Sequence, residues 1–481
     1  MSRIKCFILD RIGWEATLKP FMYKELPPEL GWSATLGSLC VLLFVVQAAT
    51  GIFLAMYYSP SPDEAYESLN YITSEVRMGR ILQGIHHWSA GAIVIAVFLH
   101  MLSGFFGGSY KAPREMTWTV GVCLFLVTLG LGFTGYLLPW DQEAYWATVV
   151  GSNVPGNIPV IGRFIKEFLL AGDRVSGLTL TRFYAIHTLA LPAFLLSLSA
   201  FHIYLVRIHG VAEPPVSLIS GRKPISSKES GHYRFFPEQL SRSSLIFAAV
   251  FTLILLLSII SEIPREKIAG TVDEAYLPRP EWYFMWLFQL LTYFPGSTES
   301  IGSLGVPLLL VLILFALPFL DKSKLRAIAD RPFAAAFGVS CIVGIVFLTW
   351  MGFAGERPYG EITIAPDREL TAAEANGLYV FVDRDCAYCH QILGKGGRRV
   401  GPDLSNVVAK KRTKRWLTEY IRDPKAIRRW TAMPKYDLSQ QELESLAEFI
   451  LSLDFDRYGS KIIQREMIIQ QKLLTPLQQR Q

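Results

Sequence analysis

Seven stretches of this 481-residue chain, at about 33–57, 83–106, 116–138, 183–206, 243–261, 301–320 and 332–355, contain no Asp, Glu, Lys or Arg. Each is long enough to cross the ~30 Å hydrocarbon core of a bilayer as a helix. Lipid offers the backbone no water to bond, so an apolar run of this length is restricted to a structure that satisfies its own N–H and C=O groups. The expected fold is therefore all-α, a polytopic membrane protein with seven transmembrane helices. A composition that is 51% hydrophobic and 13% aromatic agrees. An eighth run, "WYFMWLFQLLTYF" at 282–294, has only thirteen residues before Pro295-Gly296 and suits an interfacial or re-entrant helix. The first apolar run is too long for a signal-peptide core and lacks a small-residue cleavage site after it, so no cleavable signal is expected.

Orientation follows from Lys and Arg. Segments on the N-terminal side (1–32, 107–115, 207–242, 321–331) hold 17, whereas the opposite loops (58–82, 139–182, 262–300) hold 9. The positive-inside rule then puts the N-terminus in the cytoplasm, and seven crossings place the chain after residue 355 outside, in a periplasm or its equivalent. From about residue 371 the sequence turns charged and soluble in character, after the linker "GERPYGEITIAPDREL". Residues 356–481 carry 21 Lys/Arg against 17 Asp/Glu, a mildly basic surface that serves plain solubility or an acidic protein partner. Nucleic acid is not suggested. Cys6, Cys40, Cys123 and Cys341 are scattered in or beside the apolar runs and imply no disulfide framework.

The second and fourth runs carry ionisable side chains where these are costly and usually functional. On a helix, the 14 residues from His86 to His100 advance about 21 Å and leave the two within about 40° of one face. His187 and His202 are 15 apart, about 22 Å in rise and 60° in azimuth, a near duplicate of the first pair. Both runs cross in the same direction, so His86 meets His187 at one depth and His100 meets His202 at another. His87 points elsewhere, and His209 lies about 10 Å beyond His202, among Arg207 and the loop. A lone intramembrane histidine is ordinarily a packing residue. Four at matched depths, with no Cys, Asp or Glu beside them to complete a zinc site, suit two flat macrocycles with axial nitrogens, that is, two haems. Room for them comes from Gly37 and Gly51 in the first run and Gly121 and Gly135 in the third, each pair again 14 apart. Ordinary small-residue helix packing explains single glycines but not the shared spacing.

These features resemble cytochrome b of the Rieske/cytochrome bc complexes, in the branch where a four-helix cytochrome b6 is followed by a three-helix subunit IV. The likeness covers about residues 1–355. It rests on "PREMTW", "GYLLPWDQEAYWA", "NIPVIG", "TLTRFYAIHT", the fourteen residues between the second histidine pair, and "PEWYF" at 280–284. The resemblance implies a haem b near the outside on His86 and His187, and one near the inside on His100 and His202. It also implies quinol oxidation at the outer face beside Pro280-Glu281-Trp282-Tyr283, with Glu281 and Tyr283 as catalytic residues. Quinol oxidation releases two protons and two electrons, so a carboxylate at the end of an apolar cleft is the expected proton acceptor. The alternative role for Glu281 is an acid in the first turn of a helix after Pro280. The chain departs from the branch at Thr35, where a cysteine usually tethers an extra haem; Cys40 is about 140° around the helix, so no covalent extra haem is expected there. Gln83 replaces a frequent arginine. Arg80, Arg182 and Arg207 are candidates for haem propionates or quinone-site charge balance, with solvated interfacial arginine as the other reading.

In the outer domain, Cys386-Ala387-Tyr388-Cys389-His390 is the attachment pattern of a c-type haem. A bare CxxC also suits zinc or a redox thiol pair; the adjacent histidine and the absence of other Cys or His in the domain disfavour both. Met433, the only methionine of the domain apart from Met467 in the tail, is assigned as the sixth ligand, since a thioether opposite histidine raises the potential. With "GPDL" at 401–404 and a helix near 439–452, the domain resembles a single-haem class I cytochrome c.

The expected organisation is a four-helix cytochrome b domain (1–215), a three-helix subunit IV-like domain (216–355), a linker (356–370), a cytochrome c domain (371–455) and a tail (456–481) that is an amphipathic helix or a frayed terminus. The expected role is the cytochrome b/c subunit of a bacterial inner-membrane quinol oxidoreductase that builds a proton gradient. It takes two non-covalent haems b, one covalent haem c, and quinone/quinol as substrate. The sequence holds no Rieske-like pair of Cys/His motifs, so a Rieske iron–sulfur protein is an expected partner, with a downstream soluble or membrane cytochrome as acceptor. The resemblance further implies a dimeric complex. A non-bifurcating haem b/c quinol dehydrogenase anchor and a non-enzymatic tether for cytochrome c are the competing readings.

Overall fold

The computed structural model describes residues 7, 11, 19–27, 30–156, 158, 160–172, 175–213, 215, 233–266, 268–269, 279–294, 298, 300–354, 370–384, 386–390, 392, 401–405, 407–408, 410–428, 431, 433 and 435–453. The linker expected at 356–370 falls almost wholly outside these residues, and the tail at 456–481 does so entirely. Among the described residues there is no strand, and only two isolated bridges, Glu25 with Arg234 and Asp141 with Ile268.

Among the described residues, seven helices are long and apolar enough to cross a membrane. They are α1 (Trp32–Ala55), α2 (Gly79–Phe106), α3 (Glu115–Tyr136), α5 (Gly177–His209), α6 (Phe235–Ile260), α8 (Ile301–Leu320) and α9 (Pro332–Ala354). Between them lie α4 (Gln142–Gly156) and the short apolar α7 (Trp282–Leu291), too short to span. The helices α5 and α6 begin several residues before the apolar runs that announce them. A Ser176–Thr179 capping box starts α5 in polar sequence that a hydropathy window passes over.

The chain divides into two compact units: Met1–Thr271 with Pro280–Tyr283 and Val306–Phe347, and Val272–Arg279 with Phe284–Gly305 and Leu348–Gln481. In the first, α1 and α6 pack on α2, and α5 packs on α3. Leu39, Leu43, Ile85, Ile93, Ala96 and Ile254 form the core between α1, α2 and α6. Close approach comes from small residues, as in lipid it must, because apolar side chains gain little by leaving lipid tails for one another. A Cβ at Gly84 would stand 2.8 Å from that of Ser258, so α2 and α6 meet almost backbone to backbone. A buried polar clasp ties the α2–α3 loop to the end of α8: Lys111 Nζ donates to Asp321 Oδ1 at 2.8 Å and Tyr110 donates to Oδ2 at 2.6 Å. Arg331 in turn donates to Tyr110 and to the carbonyls of Phe105 and Phe106 that end α2.

Among the described residues π-turns open α6 (Phe235–Gln239) and α8 (Ile301–Gly305), and one interrupts α5. Within α5 a single π-turn spans Ile186–Ala190 and contains His187. A π-bulge is one residue inserted into an α-helix. On an unbroken helix His202 would lie about 60° past His187, whereas His100 lies about 40° short of His86. The inserted residue gives the 15-residue interval the angular advance of about 14 and brings the second pair into the phase of the first. The expectation of an uninterrupted helix is corrected here, and the match between the pairs is closer than spacing alone predicts.

In the second unit α10 (Ala372–Asp383) crosses α13 (Gln440–Ser452) at Gly377, where a Cβ would meet the Ser445 carbonyl oxygen at 2.1 Å. Capping boxes Thr371/Glu374 and Ser439/Glu442 start both helices. Phe381 and Phe449 fill the core with Ile392, Leu417, Ile421 and Leu446. Between these elements lie α11 (Cys386–Cys389) and α12 (Lys414–Arg422).

Candidate functional site

Each of the four paired histidines lies against one of the four spaced glycines. A Cβ on Gly51 would stand 3.2 Å from His86 Cε1, one on Gly135 2.8 Å from His187 Cε1, and those on Gly37 and Gly121 3.4 Å from the Cε1 atoms of His100 and His202. The glycine of α1 backs the histidine of α2, and that of α3 backs the histidine of α5, at both levels. His100 and His202 face each other with ring centroids 6.3 Å apart, and His187 lies within electrostatic range of His86. Two imidazoles bound to one metal at about 2.0 Å per bond have ring centres about 6 Å apart, so the inner pair has the span of a bis-histidine site.

The outer pair is further fixed. Thr50 Oγ1 lies 2.8 Å from His86 Nδ1 and Thr134 Oγ1 lies 2.9 Å from His187 Nδ1. Each hydroxyl already donates to a carbonyl of its own helix, Val46 at 2.7 Å and Gly130 at 2.8 Å. The threonine oxygens must therefore accept from Nδ1–H, which leaves each Nε2 with a bare lone pair. Both threonines immediately precede a spaced glycine; residues 36 and 120, before the inner glycines, are Leu and Val. Sequence reading singled out the glycines and passed over the threonines one position earlier.

Trp282 and Tyr283 seat themselves on glycines of α2 and α3 that lie between the two histidine levels. A Cβ on Gly91 would be 3.6 Å from Trp282 Nε1, and one on Gly132 would be 2.9 Å from the Tyr283 hydroxyl. Glu281 immediately precedes the turn that opens α7. Burial raises its carboxyl above the ordinary glutamate range against the opposing hydrogen bond from the Trp282 N–H. A second carboxylate, Glu143 at the start of α4, is within electrostatic reach of Glu281; burial, then the charges of Glu281, Asp141 and Glu266, push it up to about 8. Sequence reading quoted Glu143 within "PWDQEAYWA" and assigned it nothing.

In the second unit, His390 is 9% exposed, and its Nδ1 donates to the Pro402 carbonyl at 2.8 Å, leaving Nε2 as the free lone pair. A Cβ on Gly401 would stand 2.5 Å from His390 Cε1, so only glycine fits behind the ring. Cys386 and Cys389 begin and end the single turn of α11, whose first carbonyl accepts from the His390 N–H at 3.0 Å. Met433 and Cys386 pack on the same hydrophobic core. The segment carrying Met433 is tied down by Thr431, which bonds the Tyr420 hydroxyl at 2.9 Å and accepts from Met433 N–H at 3.3 Å.

Arg80 pairs with Glu262 at 3.8 Å, Arg182 donates to the Phe168 carbonyl and covers its ring, and the exposed Arg207 accepts through its carbonyl from Lys24 Nζ at 3.1 Å. Thr35 is buried, with its hydroxyl donating to the Trp32 carbonyl at 2.6 Å.

Comparison with known proteins follows the same divisions. The family model for cytochrome b/b6/petB matches residues 21–210, that for cytochrome b(C-terminal)/b6/petD matches 278–365, and that for cytochrome c matches 374–454. A cytochrome bc complex cytochrome b subunit of Chlorobaculum thiosulfatiphilum is 34% identical over 338 residues, 69% of this chain and 76% of the relative. The menaquinol:cytochrome c reductase cytochrome b subunit of Geobacillus thermodenitrificans is 49% identical over 180 residues, 37% of this chain and 80% of the relative. A solved structure of a hyperthermophilic respiratory Complex III superposes with a TM-score of 0.62 at 26% identity, covering 72% of this chain and 91% of that one. The chain is a multi-pass membrane protein of the cytochrome b family, of the type found in bc complexes, with a petD-like part and a cytochrome c domain following in one polypeptide.

Proposed function

We propose that this chain is the cytochrome b/c subunit of a bacterial quinol oxidoreductase that works with a separate Rieske iron–sulfur protein and spans the inner membrane with its N-terminus in the cytoplasm. The observation that carries this is the doubled histidine–glycine arrangement: His86/His187 and His100/His202, each ring backed by a glycine, at two depths of one helix bundle. His86 and His187 hold a haem b near the outside, His100 and His202 one near the inside, and His390 with Met433 the iron of a haem c attached at Cys386 and Cys389. When bound, these groups would supply one-electron carriers, by which one electron of each quinol would leave through the iron–sulfur protein toward the c domain and the other would cross the bilayer to an inner quinone.

The protein's own part is to orient and to move protons. Thr50 and Thr134 fix the tautomer of the outer histidines, and their bonds to Nδ1–H make those imidazoles stronger donors. Trp282 and Tyr283, wedged on Gly91 and Gly132, hold Glu281 at the outer pocket, where its carboxylate accepts a quinol proton. Charge displaced across the whole membrane stores about 2.3 kcal/mol per 100 mV, which is the use of two carriers stacked through the bilayer. A tenfold or larger loss of quinol oxidation by the assembled complex on Glu281→Gln, with haem content intact, is the expected result. Unchanged turnover in that variant would remove Glu281 from the reaction.

A further inference from the structure

Charge is divided unevenly along the cytochrome c domain. Residues 405–435 hold ten Lys/Arg against two acids, whereas 436–455 hold five acids and no Lys or Arg. Several of the cations are already matched within the domain. Lys414 pairs with Glu448 of α13 at 2.7 Å, Arg415 with Glu419 at 2.9 Å and Lys435 with Asp423 at 3.4 Å, and Arg422 donates to Gln440. Lys410, Lys411, Arg412 and Arg428 are not matched. None of the four makes an ion pair or a side-chain hydrogen bond among the described residues, and all but the half-buried Arg412 are exposed.

These cations stand at the two ends of an aromatic stack. The Arg412 guanidinium lies over the Trp416 ring, 4.2 Å from its centre, and Lys410 and Lys411 precede it in the chain. Trp416 and Tyr420, one turn apart on α12, stack in parallel with centroids 4.8 Å apart and planes at 9°. At the other end the Tyr420 hydroxyl bonds Thr431 Oγ1 at 2.9 Å, and Thr431 donates its own N–H to the Arg428 carbonyl at 3.1 Å. The same Thr431 oxygen accepts from Met433 N–H, so the stack runs from Arg412 to the segment that carries Met433.

An aromatic centre with a cationic rim has the composition of a protein-binding surface, where Trp, Tyr and Arg carry most of the energy. It does not have the form of a membrane-surface helix. The aliphatic residues of α12, Leu417 and Ile421, are buried in the domain's own core, so no aliphatic stripe faces outward to enter lipid. We propose that the Arg412–Trp416–Tyr420 face, with Lys410, Lys411 and Arg428 around it, is the docking surface for an acidic electron-carrier protein. This rests on the reading of the chain as a quinol oxidoreductase subunit made above, which requires a carrier beyond the c domain. The division of charge supplies both halves of the recognition: an acidic partner is drawn to the α12 side and turned away from α13, where Glu444 is exposed. A partner seated there is held on the side of the domain tied to Met433.

The test is sedimentation binding of a soluble cytochrome c to the complete complex at low and high ionic strength. The probe is used in two forms, with its lysines succinylated to make the surface acidic and unmodified as the basic control. The wild type should bind the succinylated form, lose it at high salt and leave the unmodified form free. Lys410→Glu, Lys411→Glu and Arg412→Glu combined should weaken binding about tenfold or more at low salt, with haem c content and midpoint unchanged. Glu419→Gln removes the carboxylate of α12 and should tighten binding about two- to threefold, a gain that misfolding does not produce. Glu444→Gln makes the same charge change on α13 and should leave binding as it is. Equal binding of both probe forms, no loss in the triple variant, or equal tightening by Glu419→Gln and Glu444→Gln would refute the face, the last by showing that net charge alone governs. If the triple variant instead loses adhesion to phosphatidylglycerol vesicles, or dissociates a dimer, the face belongs to lipid or to a second copy and the proposal is overturned. Reduction of haem c by quinol in the wild-type complex is scored separately: its failure removes the function proposed above, and with it the redox character of the partner, whatever binds to α12.

Discussion

Gly135→Ala is the most severe of four one-carbon perturbations to which the structure assigns an order. The new Cβ would stand 2.8 Å from His187 Cε1, 3.4 Å from Nε2 and 3.5 Å from Nδ1. Carbon–carbon contact is optimal near 3.5–4.0 Å, so the ring must retreat by about 0.7 Å. It cannot do so freely, because Thr134 Oγ1 holds Nδ1 at 2.9 Å from the adjacent residue; a retreat of that size carries the bond to about 3.6 Å, beyond hydrogen-bonding range. Losing that bond costs about 1 kcal/mol and crowding a packed site a further 1–3, so about 2–4 kcal/mol acts on the position of one ligand. Gly51→Ala, at 3.2 Å, should cost less, and Gly37→Ala and Gly121→Ala, at 3.4 Å, least. Haem content per chain and potentiometric titration of the haem b bands read this directly. Gly135→Ala should lose or shift only one of the two b-type components. Full retention of both with unchanged midpoints, or greater damage from Gly37→Ala, would refute the reasoning.

Thr134→Val keeps the shape of residue 134 and deletes the acceptor for His187 Nδ1–H, so the imidazole becomes a weaker donor; the midpoint of one haem b should rise while the other stays in place. Lys111→Met removes the buried ammonium that faces Asp321 and should cost about 3–5 kcal/mol, read as a lower thermal unfolding midpoint in detergent with the haem spectra unaltered at low temperature. Gly401→Ala forces a Cβ to within 2.5 Å of the His390 ring; covalent haem should still be attached, but with an altered low-spin spectrum. Burial raises Glu281, and an acceptor must be ionised, so quinol oxidation should increase with pH through an acid limb above the free-glutamate value of about 4.3; a limb at or below it would contradict the burial of that carboxyl.

The membrane helices and the four paired histidines were legible because both leave periodic marks. Apolar length announces a span, and a 14-residue interval on a 3.6-residue helix returns to one face. The π-turn at Ile186–Ala190 was not legible, since nothing in "IHTLA" encodes an i→i+5 bond and only the 60° mismatch of His187 and His202 hinted that the helix could not be regular. The threonines behind the outer histidines left a trace that only the geometry made readable, a Thr-Gly step present in both α1 and α3. Glu143 was hidden by its context. An acid in the first turn of a helix is ordinary, and its lying within electrostatic reach of Glu281, well over a hundred residues away in sequence, is something no local pattern carries.

The most direct test of the account is a pyridine haemochrome assay on the purified chain before and after acid-acetone extraction, which separates extractable haem b from covalently held haem c. Two haems b and one haem c per chain are expected from His86/His187, His100/His202 and Cys386/Cys389. A single extractable haem b would contradict the doubled histidine–glycine arrangement and, with it, electron transfer across the membrane through this chain.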